Sequence, residues 1–232
     1  MNHLKDLNSK IAKNKDKLDI WLEEQISKVF IPLYTSVDLR ISDHKIVPVD
    51  TNVFPAGFNN LSDTFRKQAS SLFEGYFNRE YPNMNSILIV PELHTRNTFY
   101  WENISVLKSI LANVGYRVEV GIISDDDLPE EMEFEAASGN KVKAYRALKD
   151  NNRVTIPNLN PDLLLINNDF SEQCPKTLRD ITQPVEPPVE IGWHTRKKSI
   201  HFEFYNKLAA EVAQILEIDP WVISIDTIDD YG

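Results

Sequence analysis

Four short polar runs each follow an apolar stretch or open a helical pattern, where α/β proteins gather ligand groups. The first begins at Asp38 and Arg40 and continues through Asp50, Thr51, Asn52, Asn59 and Asn60. Carboxylates of this kind hold an ammonium group, and amides both donate and accept toward an amino-acid backbone or a phosphate. Turn chemistry accounts for Asn59 and Asn60 equally well. The second run, Glu92, His94, Thr95, Arg96 and Asn97, stands just beyond the apolar SILIVP. Arg96 there suits bidentate binding of a carboxylate, and His94 can exchange a proton near neutral pH. A turn held by its own side chains is the plainer alternative. The third, Asn167, Asn168 and Asp169, follows DLLLI and reads either as a ligand-orienting edge or as an Asx turn with a helix cap. The fourth, His194, Thr195, Arg196, Lys197 and Lys198, concentrates positive charge at the start of a helical pattern that includes His201. It suits an anion, with a surface salt-bridge network as the competing account.

Other chemistries lack support. There is no glycine-rich dinucleotide or phosphate-loop fingerprint, no H-E-x-x-H and no G-x-S-x-G, so common nucleotide-fold, zinc-hydrolase and serine-hydrolase sites are disfavoured. Five scattered histidines nominate no metal site. Cys174 is the only cysteine, which excludes an internal disulfide; with Pro175 beside it, it reads as a semi-buried structural thiol. Seven acids crowd between Asp125 and Glu135, a run expected to be a solvated loop, since acid density alone specifies no coordinating geometry.

The elements that must position these residues follow from periodicity. Leu4, Leu7, Ile11, Leu18, Leu22, Ile26 and Phe30 suit one amphipathic helix, stopped by Pro32. Strands are expected over 31–40, in a short run ending at Asp50, and over 87–90, 116–123 and 162–166, with 141–148 an edge strand or a short helix. Helices are expected over 62–78, 98–114, 177–182 and 199–218, with Gly115 closing the second. Strand-then-helix passages of this kind predict a three-layer α/β fold, a mostly parallel sheet flanked by helices. The expected organisation is an amino-terminal helix over 1–30 packed on the main domain, an α/β domain over 31–221 and an acidic tail over 222–232.

The 232 residues are 42% hydrophobic and 26% charged, an ordinary globular balance able to bury a core. A formal net charge of -10 argues against a broad nucleic-acid surface. Charges interrupt every apolar run near the amino terminus, so neither a signal segment nor a membrane span is expected, and a cytoplasmic, reducing setting is the default.

Taken together, VDLR at 37–40, PVDTNVFPAGFNNL at 48–61, PELHTRNTFYWEN at 91–103, PDLLLINND at 161–169 and GWHTRKKSIHF at 192–202 resemble the proteobacterial glutamate-cysteine ligase family, related to ATP-grasp enzymes. The segments occur in the same order across most of the chain. The resemblance implies ATP-dependent formation of gamma-glutamylcysteine from L-glutamate and L-cysteine, toward glutathione, with Mg2+ offsetting phosphate charge. It makes Arg40, Arg96 and Arg196 candidates for carboxylate or phosphoryl oxygens, and Asp50, Asn52, Asn59 and Asn60 candidates for orienting the amino acid. His94, Asn97, Asn168, Asp169 and His194 complete the expected substrate set, and Arg196, Lys197 and Lys198 the expected ATP contacts. Family members continue past the segment resembling IDPW at 218–221 into the nucleotide-binding region. The expectation is therefore an incomplete ligase, inactive alone, that forms a homo-oligomer or works with a separate ATP-grasp partner. The alternatives are a noncatalytic amino-acid-binding or regulatory module, and a structural unit that serves assembly only.

Overall fold

The computed structural model describes residues 3–93, 96–170, 173–192 and 197–226. They group into two compact units, 1–52 with 195–232, and 53–194. The boundary drawn from sequence after residue 30 falls inside the first unit.

The first unit opens with α1 (His3–Lys13) and α2 (Lys15–Ile26), two helices where the periodicity predicts one. The break is Asn14, whose side-chain amide donates back to Lys10 O at 3.0 Å, the local bond by which asparagine competes with helix continuation. A hairpin follows, β1 (Ser36–Ile41) antiparallel to β2 (Ile46–Asn52), with a bulge after Asp38. The first strand is exposed over most of its length rather than buried in a core.

The last helix of the chain, α5 (Lys198–Leu216), also belongs to this unit and buries Phe202, Ala209, Ala213 and Leu216 along one face. Its Glu211 accepts from Trp21 Nε1 at 2.7 Å and Gln25 Nε2 at 3.3 Å, while Lys10 Nζ donates to Glu217 O at 2.8 Å. These bonds hold α1 and α2 to α5. Asn206 and Ile225 exchange two hydrogen bonds, which ties the following segment back to the same helix.

The second unit is built on a six-stranded, mostly parallel sheet flanked by helices. Helix α3 (Asp63–Glu80), capped by Ser62, leads into β3 (Ser86–Pro91), and α4 (Thr98–Ala112) leads into β4 (Arg117–Ile122). Helix α4 ends two residues earlier than the spacing predicts, and Gly115 takes a positive φ of 107° in the turn that follows. Next come β5 (Glu131–Glu135), β6 (Lys141–Arg146), the ribbon β7 (Leu148–Asp150) and β8 (Arg153–Thr155), β9 (Leu163–Asn167) and β10 (Val185–Glu186). The sheet order is β10-β9-β3-β4-β6-β5, and only the β5–β6 pair is antiparallel.

The expected acidic loop is thus in part a strand. Met132 and Phe134 alternate with Glu131, Glu133 and Glu135, and Phe134 stacks on Trp101 of α4 with ring centroids 3.8 Å apart. The outward acids face lysines of β6, Lys143 to Glu131 at 2.7 Å and Lys141 to Glu135 at 3.2 Å. Strand β6 is consequently interior, with β5 at the edge. A 3-10 turn at Lys176–Leu178 stands where a short helix was predicted, and Asp180 has a positive φ of 51° just beyond it.

Alternation along β3 and β9 divides the core. Leu88, Val90, Leu164 and Ile166 join Val53, Phe54, Val154, Ile156, Leu178 and Val189 in one buried cluster, so the ribbon and the 3-10 turns cover that face. Ile87, Ile89, Leu163 and Leu165 point the other way and are fully buried. Gly121 in β4 has a packing reason: a Cβ there would stand 2.8 Å from Leu88 Cδ2. Among the described residues no helix is long and apolar enough to cross a membrane.

Candidate functional site

Strand β3 connects through α4 to β4 on one side of it, whereas its other neighbour, β9, leads to β10 in the opposite direction. The carboxyl ends of β3 and β9 therefore flank a topological switch point, the place where open α/β sheets leave a crevice. The two strands end side by side, with Pro91 opposite Asn167. The segment after β3 carries Glu92, Arg96 and Asn97, and the segment after β9 carries Asn168 and Asp169.

A buried amide network sets this edge. Asn103 on α4 is 1% exposed, and its Oδ1 accepts from Gly57 N at 2.8 Å and Phe58 N at 2.9 Å. Its Nδ2 donates to Asn167 Oδ1 at 3.2 Å, and Asn167 Nδ2 donates to Pro55 O at 2.8 Å. The orientation of both amides is forced, because two backbone N–H groups require an oxygen at Asn103 and a carbonyl requires an N–H at Asn167. Tyr100 adds a third tie: its hydroxyl donates to Asn167 O at 2.7 Å and accepts from Glu92 N at 2.8 Å. The loop bearing Asn59 and Asn60 is thereby pinned to α4 and β9. Arg66 braces its far end through bonds to Leu61 O and Asn59 O.

The nominated side chains of this unit divide by how much of their bonding capacity is spent. Asn97 caps α4, its Oδ1 accepting from Tyr100 N at 3.0 Å. Asn168 accepts from Phe170 N at 2.9 Å in an Asx turn and reaches Pro91 O at 3.4 Å. Asn59 Nδ2 donates to Asn60 Oδ1 at 3.3 Å. By contrast Arg96, exposed, and Asp169, half-buried, have no hydrogen bond or ion pair among the described residues. A guanidinium and a carboxylate without partners among the described residues thus stand in the segments that follow β3 and β9. His94 and His194 lie outside the described residues.

The remaining candidates belong to the first unit. Across the hairpin Asp38 stands opposite Asp50, so both carboxylates share a face. Lys198 Nζ lies 2.7 Å from Asp50 Oδ1, a charge contact without hydrogen-bond alignment, although that oxygen is itself buried. Thr51 Oγ1 and His201 Nε2 are 3.0 Å apart, which joins β2 to the start of α5. Arg40 is exposed and without a partner among the described residues, Asn52 is half-buried, Lys197 is exposed, and Arg196 lies outside the described residues.

Sequence reasoning missed Asn103. Its signal was present, since it shares the inward face of α4 with Tyr100, Ile104 and Leu107. A polar residue in such a stripe must find partners when buried. Cys174 is half-buried as expected, and burial, then Glu190, pushes its thiol up.

The glutamate-cysteine ligase family model, GshA, matches residues 8–229. The crystal structure of a candidate gamma-glutamylcysteine synthetase from Methylobacillus flagellatus KT aligns with a TM-score of 0.85 at 34% identity, covering 93% of this chain and 50% of that one. The chain thus spans about half the length of that protein. None of the curated proteins compared matches it. The match over nearly the whole chain and the shared fold agree: the chain belongs to the glutamate-cysteine ligase family.

Proposed function

We propose that the chain supplies the amino-acid side of ATP-dependent gamma-glutamylcysteine formation, with L-glutamate bound at the switch point between β3 and β9. The observation that carries this reading is the pair of unspent charges there, Arg96 and Asp169, in a member of this family. L-Glutamate offers the complement. Arg96 binds a carboxylate in bidentate fashion, Asp169 takes the α-ammonium group, and Asn59 and Asn60 present amides from a loop already fixed by Asn103. A pinned loop lowers the ordering cost of binding. L-Cysteine is the second substrate, and a reducing cytoplasmic setting suits its thiol.

ATP and Mg2+ belong to the proposed reaction as phosphoryl donor and its cation. Among the described residues no three His, Cys, Asp or Glu side chains converge where a metal could sit. Of the nominated phosphate contacts, Lys198 is engaged by Asp50 and Lys197 is exposed. The chemistry assigned to the described residues is binding and orienting the amino acid.

The test combines calorimetric titration of the folded chain with L-glutamate and mass spectrometry for gamma-glutamylcysteine in the presence of L-cysteine, ATP and Mg2+. Saturable binding, weakened ~10-fold or more by Arg96→Ala with an unchanged unfolding midpoint, supports the site. Absence of saturable glutamate binding overturns it. A second reading is a noncatalytic amino-acid-binding or regulatory module. Binding without product selects that module, unless product returns on adding a second polypeptide carrying the unmatched half of the neighbour.

A further inference from the structure

At the end of β6, two strands from β3 in the sheet order, the second unit leaves a cavity of about 480 Å3 lined by Glu130, Arg146, Leu148, Thr155, Ile156 and Pro157. The volume lies within the range of small-ligand sites. Strand β6 ends at Arg146, and the β7–β8 ribbon places Leu148 and Thr155 across from it. Arg146 N donates to Glu130 O at 3.0 Å, so the two side chains leave neighbouring segments at the same level.

The charges in this cavity are unequally satisfied. Arg146 Nη1 donates to Asp127 Oδ1 at 2.6 Å and to Leu128 O at 3.3 Å. The Asp127 side chain is 93% exposed, so the ion pair stands in water and is easily exchanged. The Glu130 carboxylate and the Thr155 hydroxyl have no partner among the described residues. A cation with a replaceable counter-ion, a free carboxylate, a free hydroxyl and an apolar floor of Leu148, Ile156 and Pro157 therefore converge on one space.

We infer that this cavity is a binding site for a small zwitterion, an α-amino acid with an apolar side chain. The ligand carboxylate displaces Asp127 from Arg146, Glu130 receives the ammonium group, Thr155 Oγ1 hydrogen-bonds a carboxylate oxygen, and the aliphatic chain covers the apolar floor. Asp127 is the internal stand-in for the ligand. The inference uses none of the residues at β3 and β9, so it stands or falls separately from the proposed glutamate site.

The experiment is a titration of the isotopically labelled full chain with L-leucine, followed by amide chemical shifts and calorimetry, alongside 4-methylpentanoate, which lacks the ammonium group, and 3-methylbutylamine, which lacks the carboxylate. Saturable shifts at Leu148, Thr155 and Ile156 are expected, with both analogues bound ~10-fold more weakly or worse. Arg146→Gln removes the carboxylate contact and weakens L-leucine by ~10-fold. Asp127→Asn, an exposed change that leaves the fold intact, removes the competitor and tightens L-leucine ~3-fold. No saturation by about 20 mM, a range in which even weak millimolar sites fill, overturns the inference. So do equal binding of 4-methylpentanoate, an Asp127→Asn affinity no tighter than the parent, or shifts confined to Arg96 and Asn168.

Discussion

Replacing Asn103 by leucine tests whether the amide network builds the switch-point edge. The substitution keeps the branched shape and the four side-chain heavy atoms, but it removes three hydrogen bonds: from Gly57 N at 2.8 Å, from Phe58 N at 2.9 Å and to Asn167 Oδ1 at 3.2 Å. At about 1 kcal/mol net for each bond the loss is ~3 kcal/mol, and burial of the orphaned groups would raise it further. Gly57 and Phe58 are half-exposed and can recruit water, which holds the cost near that figure. With a urea slope of about 2 kcal/mol per molar, the unfolding midpoint falls by ~1.5 M. The same variant frees the loop over 55–60, so proteolysis there accelerates and L-glutamate affinity drops even under conditions where the rest stays folded. Asn103→Asp is the control. It keeps the acceptor for both N–H groups but sets an oxygen against Asn167 Oδ1, and reorienting Asn167 would set its oxygen against Pro55 O instead. It should fall between the parent and the leucine variant. A leucine midpoint within about 0.3 M of the parent, with loop cleavage unchanged, would refute the reasoning.

Glu186 is 4% exposed and its Oε1 accepts from Tyr76 and Tyr81 hydroxyls at 2.9 and 2.7 Å, while Oε2 has no hydrogen bond. Glu186→Leu orphans two hydroxyls and should cost ~2–4 kcal/mol in urea unfolding, whereas Glu186→Gln keeps the acceptor and should cost less than about half of that. Burial, then Glu186, raises both tyrosine pKa values, so phenolate absorbance from these two should be missing from the ordinary tyrosine titration until the protein unfolds. Burial pushes the Asp162 carboxyl up, but the N–H of Asn85 with the hydroxyl and N–H of Ser86 together hold it below the usual carboxylate range. Its contribution is therefore full above the unfolded pKa and lost as pH falls through the lowered folded value, and the midpoint gap between parent and Asp162→Ala should narrow as pH falls below the ordinary carboxylate range.

What sequence conveys and what it hides follow from the kind of burial. The runs ILIV and LLLI are apolar on successive residues because β3 and β9 are covered on both faces, and no helix or loop explains such density as simply. Helices α3, α4 and α5 show their stripes, and Ser62 and Asn97 mark two of their starts. Strand β5 is hidden because only Met132 and Phe134 turn inward among five residues, and its acids dominate the composition. The β7–β8 ribbon is too short to display alternation, although Asn151 and Asn152, both at positive φ, form the turn residues such a hairpin needs. The candidate residues at the sheet edge were legible by type and position. Which of them are already bonded was not, because a cap, an Asx turn and a ligand contact all draw on the same side chains.

That distinction has an energetic consequence. A side chain bonded in the ligand-free protein must exchange one partner for another, so its net gain on binding is small, whereas an unspent charge exchanges only water. At the switch point Asn97 belongs to the first kind and Arg96 to the second. Asn97→Ala should therefore cost about 1 kcal/mol of stability through loss of the α4 cap, with L-glutamate affinity changed by less than ~3-fold. Arg96→Ala should leave the unfolding midpoint in place, since the side chain is exposed and unpaired among the described residues, and weaken L-glutamate by ~10-fold or more. Both are read from one pair of measurements, urea unfolding and calorimetric titration, on each variant. The opposite pattern, an Arg96 variant that unfolds early and an Asn97 variant that loses glutamate, would mean that the cap is the ligand contact and the guanidinium a structural tie.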